Sequence, residues 1–186
     1  LKKLKQNYKK PTIIAEIGCN HNGKYQLAIK HIDAAIKSGA TAVKFQIFDP
    51  KNLVAKNTLK APYALKTTKM YKDQLSMQKK IMFKFDFFLK LKKYCKKKNI
   101  DFLCSAFDLD SLDYLNKIGL KTFKIPSGEI NNIPYLHQVK SYKKKIILST
   151  GMANLDEINS ALKILRKSLP LNKISLLHCV SIYPTD

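Results

Sequence analysis

Two short apolar runs in this chain are each interrupted by a single lysine, and that pattern constrains the fold more than any other feature. Thr41-Ala42-Val43-Lys44-Phe45-Gln46 follows a segment that stops at Ser38-Gly39, and Thr122-Phe123-Lys124-Ile125-Pro126 repeats the pattern. A strand alternates its faces with period two, so Ala42, Lys44 and Gln46 share one face and Val43, Phe45 and Ile47 the other. An ammonium group in the middle of a buried strand is costly unless an anion meets it, whereas a lysine on an edge strand carries its charge out to water. The recurrence argues for the first. Other candidate strands also close on a polar residue, so the chain reads as a set of strands that each deliver one polar group to a common place.

In chain order, Thr12 to Ile17 reads as a strand ending at Gly18, and Cys19 to Gly23 as a turn. Leu27, Ile29, Ile32, Ala35 and Ile36 recur at helical spacing, with Gly39 as the residue that closes the helix. Residues 47 to 76 carry Pro50 and Pro62 and show no clean period; a connection of that length is often functional. A helix is predicted over 83 to 98, and a strand over Ile100 to Ala106. Asp108 or Asp110 can cap the next helix, which runs through Ile118 to Gly119. After the Lys124 strand, Asn131 or Asn132 caps a short helix with Pro134 in its first turn. Lys145 to Thr150 and Ile174 to Val180 are the last two strands, separated by a helix that starts at Asn154. Six strands alternating with five helices predict an α/β chain with a parallel sheet. No glycine-rich phosphate loop follows an early strand, as a doubly wound sheet would advertise. Polar chemistry at many strand ends is instead the pattern of a (β/α)8 TIM barrel, here truncated to about six strands.

The 186 residues suffice for one domain with a substantial core. The net charge of +22 raises a nucleic-acid or acidic-lipid partner. Against it, Arg166 is the only arginine, and the lysines spread over most helices instead of forming one block. We therefore expect no nucleic acid as partner. No apolar run is long enough to span a membrane, and the basic stretch Leu1 to Lys10 leads into a strand, not into the apolar region of a signal peptide. The four cysteines show neither CxxC spacing nor the histidine pairing of a zinc site, and three lie in or beside apolar strands as small buried hydrophobes, which suggests a reducing, cytoplasmic setting.

The residues at or just after the strand ends are Glu16, Lys44 with Gln46, Ser105, Lys124 with Ser127 and Glu129, Ser149 with Thr150, and Ser181 with Tyr183. Two lysines and several hydroxyls at one mouth suit a small phosphate or carboxylate, because lysines supply charge and hydroxyls supply directed donors. Glu16 and Glu129 can act as acid or base, or orient the lysines. His21 can hydrogen-bond a substrate or serve the turn. Alternation puts His178 on the face opposite Ser181 and Tyr183, packed between strand and helix.

The run Ile14-Ala15-Glu16-Ile17-Gly18-Cys19-Asn20-His21-Asn22-Gly23 closely resembles the opening motif of the sialic acid synthases, a family that includes legionaminic and pseudaminic acid synthases. Further blocks match in the family's order: Ala42 to Gln46, Phe102 to Asp108, Lys124 to Glu129, Leu148 to Met152 and Leu176 to Thr185. The resemblance implies a barrel enzyme that condenses phosphoenolpyruvate with an N-acylated six-carbon amino sugar and releases phosphate. It implies phosphoenolpyruvate on Lys44, Ser105, Lys124, Ser127 and Ser149, with Glu16 at the reacting centre. Tyr183, Ser181, Gln46 and Glu129 fall on the sugar side. It also implies a homodimer and a divalent cation, manganese or magnesium, whose histidine ligands lie beyond Asp186. Ser105 stands where the family often has threonine, which keeps the hydroxyl, and Ser181 replaces an asparagine of some members. The expectation is therefore the N-terminal part of a synthase barrel over residues 1–186, without the last strands and without the family's C-terminal antifreeze-like domain, and inactive alone. Two other classes compete with this reading: a Schiff-base aldolase using Lys44 or Lys124, and a lysine-driven nucleic-acid binder.

Overall fold

Lysine-interrupted apolar strands can only pack if their apolar faces are covered by helices and their lysines share the opposite face. That arrangement is observed. The structure is a computed structural model that describes residues 11–55, 58–60 and 72–182. Six strands form one sheet: β1 (Ile14–Gly18), β2 (Ala42–Ile47), β3 (Asp101–Ala106), β4 (Thr122–Ile125), β5 (Lys145–Ser149) and β6 (Ile174–Leu177). They lie in sequential order and every neighbouring pair is parallel. The main helices are α1 (Tyr25–Lys37), α4 (Phe85–Lys97), α5 (Leu109–Lys117), α6 (Ile133–Ser141) and α7 (Leu155–Arg166), one between each pair of strands. Two shorter helices, α2 (Pro50–Leu53) and α3 (Gln74–Ile81), sit in the long connection after β2. A doubly wound sheet reverses its strand order, and this one does not, so the six strands are consecutive staves of a (β/α)8 barrel wall.

The core lies between sheet and helices. Val43, Phe45 and Ile47 of β2, Phe123 and Ile125 of β4, and Ile146 and Leu148 of β5 are buried there against Ile32, Phe88, Leu112 and Leu136 of the helices. Alternation then forces the intervening residues, among them Lys44, Lys124 and Ser149, onto the inner face.

The predicted helix ends hold. Gly39 and Gly119 take φ of +83° and +76° just past α1 and α5, the left-handed geometry that a side chain would strain. Asn132 and Asn154 cap α6 and α7 through their side chains. Of the two aspartates offered for α5, Asp108 is the cap: its Oδ1 accepts the Ser111 N–H at 2.8 Å. Its Oδ2 also accepts the Asp49 N–H at 2.7 Å and the Ser111 hydroxyl at 2.8 Å. One carboxylate thus fastens the exit of β2 to the start of α5, directly above the strand ends.

One expectation is corrected. The sixth strand stops at Leu177, and His178 is exposed, not packed between strand and helix. The alternation argument needs a continuing strand with cover on both faces. β6 is the last strand among the described residues and pairs only with β5. Of the stretch from 47 to 76, residues 56–57 and 61–71, Pro62 among them, lie outside the described residues. The remainder holds α2, too short to show a period, and the start of α3, which buries only Met77. No helix among the described residues is long and apolar enough to cross a membrane.

Asp108→Ala is expected to lower stability by about 1–2 kcal/mol, a lost cap plus a lost part-buried acceptor. Asp110→Ala should stay within about 0.5 kcal/mol. Urea unfolding with unchanged m-values checks both, and equal losses would mean that the cap was assigned to the wrong residue.

Candidate active site

Strand register brings the inner-face residues level with one another. Glu16 stands beside Lys44, Gln46 beside Ser105, and Ser105 beside Lys124. Ser149 lies two residues past Ile147, the partner of Lys124. The two lysines are almost completely enclosed, with 5% and 8% of their surface exposed. Lys44 Nζ lies 2.9 Å from Glu16 Oε2 and donates to Ser105 Oγ at 3.1 Å. Lys124 Nζ donates to Ser149 Oγ at 2.6 Å and to the Ile125 carbonyl at 3.2 Å.

The two ammonium groups are not equivalent. Lys44 has a carboxylate partner; among the described residues Lys124 has only neutral acceptors. Burial, and after it the nearby Lys44 charge, pushes the Lys124 amine down to about 8 against the opposing pull of Glu16. Among the described residues the inner face is therefore short of negative charge at its Lys124 side.

Beside it, Ser127 Oγ accepts the Gly151 N–H at 3.0 Å. Gly151 is buried, and a Cβ there would collide with Ser181 Oγ and stand 3.0 Å from Ser127 Oγ. Ser127, Gly151 and Ser181 thus form a second cluster, past the ends of β4, β5 and β6. Sequence reasoning missed Gly151. The available signal was a glycine in Ser149-Thr150-Gly151 with no helix for it to close, which points to close approach instead of a C-cap.

The structure brings Glu16, Lys44, Ser105, Lys124 and Ser149 onto one face in two hydrogen-bonded groups, Glu16–Lys44–Ser105 and Lys124–Ser149, set side by side by the register of Ser105 with Lys124. Gln46 is half-buried on the same face and accepts the Cys19 thiol at Oε1, 3.4 Å away. Glu129 is not joined to the lysines among the described residues. Its Oε2 accepts from Asn132 Nδ2 at 2.7 Å at the start of α6, and burial raises its carboxyl above the usual range. Tyr183 lies outside the described residues. His21 belongs to the fold: it is fully buried, stacks on Phe83 with ring centres 3.7 Å apart, and accepts the Gly23 N–H at Nδ1. Burial, and after it the neighbouring His31, lowers its pKa to about 4, so it is neutral. Among the described residues no three His, Cys, Asp or Glu side chains gather to hold a metal ion.

Two desolvated ammonium groups and several hydroxyls at the strand ends of an α/β barrel wall have the chemistry to meet a small anion. Residues 31–186 match the NeuB family model, and the chain belongs to that family. It is 52% identical over 177 residues to N,N'-diacetyllegionaminic acid synthase of Campylobacter jejuni subsp. jejuni, covering 95% of this chain and 53% of that protein. The synthase of the same name from Legionella pneumophila is 41% identical over 94% of this chain and 50% of its own length. In structure the chain is similar to the N-acetylneuraminic acid (sialic acid) synthetase of Leptospira borgpetersenii solved with citrate, with a TM-score of 0.80 and 34% identity. That match covers 94% of this chain and 56% of the synthetase. The chain spans about half the length of the curated relatives it matches.

Lys124 binds its proton less tightly here than in the unfolded chain, whose amine titrates near 10.5. From about pH 8 to 10.5 the unfolded state holds more protons, so the stability contributed at this position rises with pH across that window. Lys124→Met is therefore expected to stabilise the ligand-free protein by on the order of 2 kcal/mol at pH 7. That advantage should shrink between about pH 8 and 10.5. Unfolding curves of both proteins across this range check it, and a pH-independent difference would mean that the Lys124 charge is not destabilised by burial.

Proposed function

We propose that this chain forms the phosphoenolpyruvate-binding part of a nonulosonic (sialic-type) acid synthase, which joins phosphoenolpyruvate to an N-acylated amino sugar and releases phosphate. The observation that carries the reading is the pair of enclosed lysines, each held on a serine hydroxyl, with one carboxylate for two ammonium groups. Phosphoenolpyruvate carries a phosphate and a carboxylate, which is the charge that such a pair lacks. The names of the relatives support the same reaction class.

In this reading Lys44, Ser105, Lys124, Ser127 and Ser149 hold phosphoenolpyruvate. C3 of the bound enol attacks the aldehyde carbon of the open-chain sugar, water adds at C2, and phosphate leaves with cleavage of its C–O bond. Fixed positioning removes part of the entropic barrier. Glu16 keeps one oxygen on Lys44, and its side chain is 58% exposed, so its free oxygen can take a proton from the attacking water. Gln46, Ser181, Glu129 and Tyr183 are assigned to the sugar side. A divalent cation would draw its ligands from outside the described residues, and no step here passes through it. The proposal further includes a cytoplasmic homodimer, and residues 1–186 as the opening part of a barrel that further strands complete.

Losing a hydrogen bond to a charged group costs about 1.5–3 kcal/mol, a ten- to hundred-fold loss of affinity. Lys44→Met and Lys124→Met should each weaken phosphoenolpyruvate binding by about that factor, and Ser127→Ala by less, since a neutral hydroxyl contributes about 0.5–1.5 kcal/mol. Calorimetric titration decides; unchanged affinity in both lysine variants would mean that the site lies elsewhere. The lowered Lys124 amine also suits a Schiff-base aldolase. Borohydride with pyruvate is expected to leave no adduct, and a stable one would turn the assignment to aldolase.

A further inference from the structure

β1 is bulged between Glu16 and Gly18, and Gly18 takes a φ of +54°. This turn sets Cys19 Sγ 3.4 Å from Gln46 Oε1. A Cβ on Gly18 would stand 3.8 Å from the amide carbon and nitrogen of Gln46, so the turn lies against that amide. The two ends of a carboxamide have opposite chemistry, one accepting and one donating. Burial pushes the Cys19 thiol up to about 11, against the weaker pull of Lys44, so it carries its proton at neutral pH and donates. A donor must meet the amide oxygen. Nε2 is left with both its hydrogens and no protein acceptor among the described residues.

We infer that Cys19 is a positioning residue which, by holding Gln46 Oε1, turns the Gln46 Nε2 donor into the cavity to read an acceptor oxygen on the sugar substrate. The inference rests on the synthase reading and deepens its sugar side. A donor fixed in this way favours a ligand that presents a carbonyl oxygen, as an N-acyl group does. It disfavours a free amino sugar, whose ammonium also donates.

The test uses the intact gene product with Cys19→Ala and Cys19→Ser, since serine restores an X–H donor and alanine does not. The acceptor KM of Cys19→Ala is expected to rise about three- to ten-fold, the loss of one modest hydrogen bond. KM for phosphoenolpyruvate should stay within about two-fold, and Cys19→Ser should return the acceptor KM toward wild type. An unchanged acceptor KM in Cys19→Ala overturns the inference. So does a parallel rise of both KM values that serine does not rescue, because that is the signature of a merely structural residue. A wild-type protein that condenses nothing overturns the synthase reading instead. The thiol–amide bond is then read alone, from the S–H Raman band in the difference between wild type and Cys19→Ser. That band should lie below the free-thiol position and move up in Gln46→Leu; a band that does not move overturns the positioning role.

Discussion

Two lysine ammonium groups share the inner face of the sheet with one partnering carboxylate among the described residues, and much of this structure is arranged around that imbalance. Transfer of a charge out of water is costly unless it is paired and hydrogen-bonded. Lys44 meets the condition through Glu16 and Ser105. Lys124 meets half of it, with hydrogen bonds but no counter-charge among the described residues. The apolar layer between sheet and helices must therefore supply enough burial to offset a polar inner face. It does so continuously from Ile17 of β1 to Leu165 of α7.

The serines do more than satisfy the lysines. A hydroxyl that accepts from an ammonium group still has its own hydrogen to donate, and accepting polarises it. Ser105 on Lys44 and Ser149 on Lys124 each present a cation and a directed O–H side by side. Ser127 accepts the Gly151 N–H in the same manner, which leaves its hydrogen free for a ligand. The site is thus a set of donors with few acceptors, built before any ligand arrives.

Much of this was legible in the sequence because two periods are strict. Period two placed Lys44 and Lys124 opposite Phe45 and Phe123, and the caps at Asn132 and Asn154 followed from local side-chain chemistry. What the sequence hid depends on contacts between distant segments. Nothing near Glu129 shows that its carboxylate turns to Asn132 and not to a lysine. His178 looked buried because its neighbours are apolar, yet β6 ends one residue earlier. His21 gave no sign of its stacking partner Phe83, which is 62 positions away by the numbering. Gly151 and Cys19 act through close approach of one strand end to another, and that has no period at all.

The lysines also fix the register that makes them useful. A one-residue slip of β2 would turn Lys44 into the helix layer and Phe45 into the cavity, and the same holds for Lys124 and Phe123 on β4. In the helix layer the ammonium would enter a cluster made almost wholly of apolar side chains. On the inner face it meets Ser105, Ser149 and Glu16. The cost of an unpaired buried charge, several kcal/mol, exceeds what a typical packing defect costs. An apolar residue at either position would fit the inner face and the helix layer almost equally well. The charge that seeks an anion is therefore also the charge that rejects the wrong pairing of strands, so the site helps to specify the sheet that carries it.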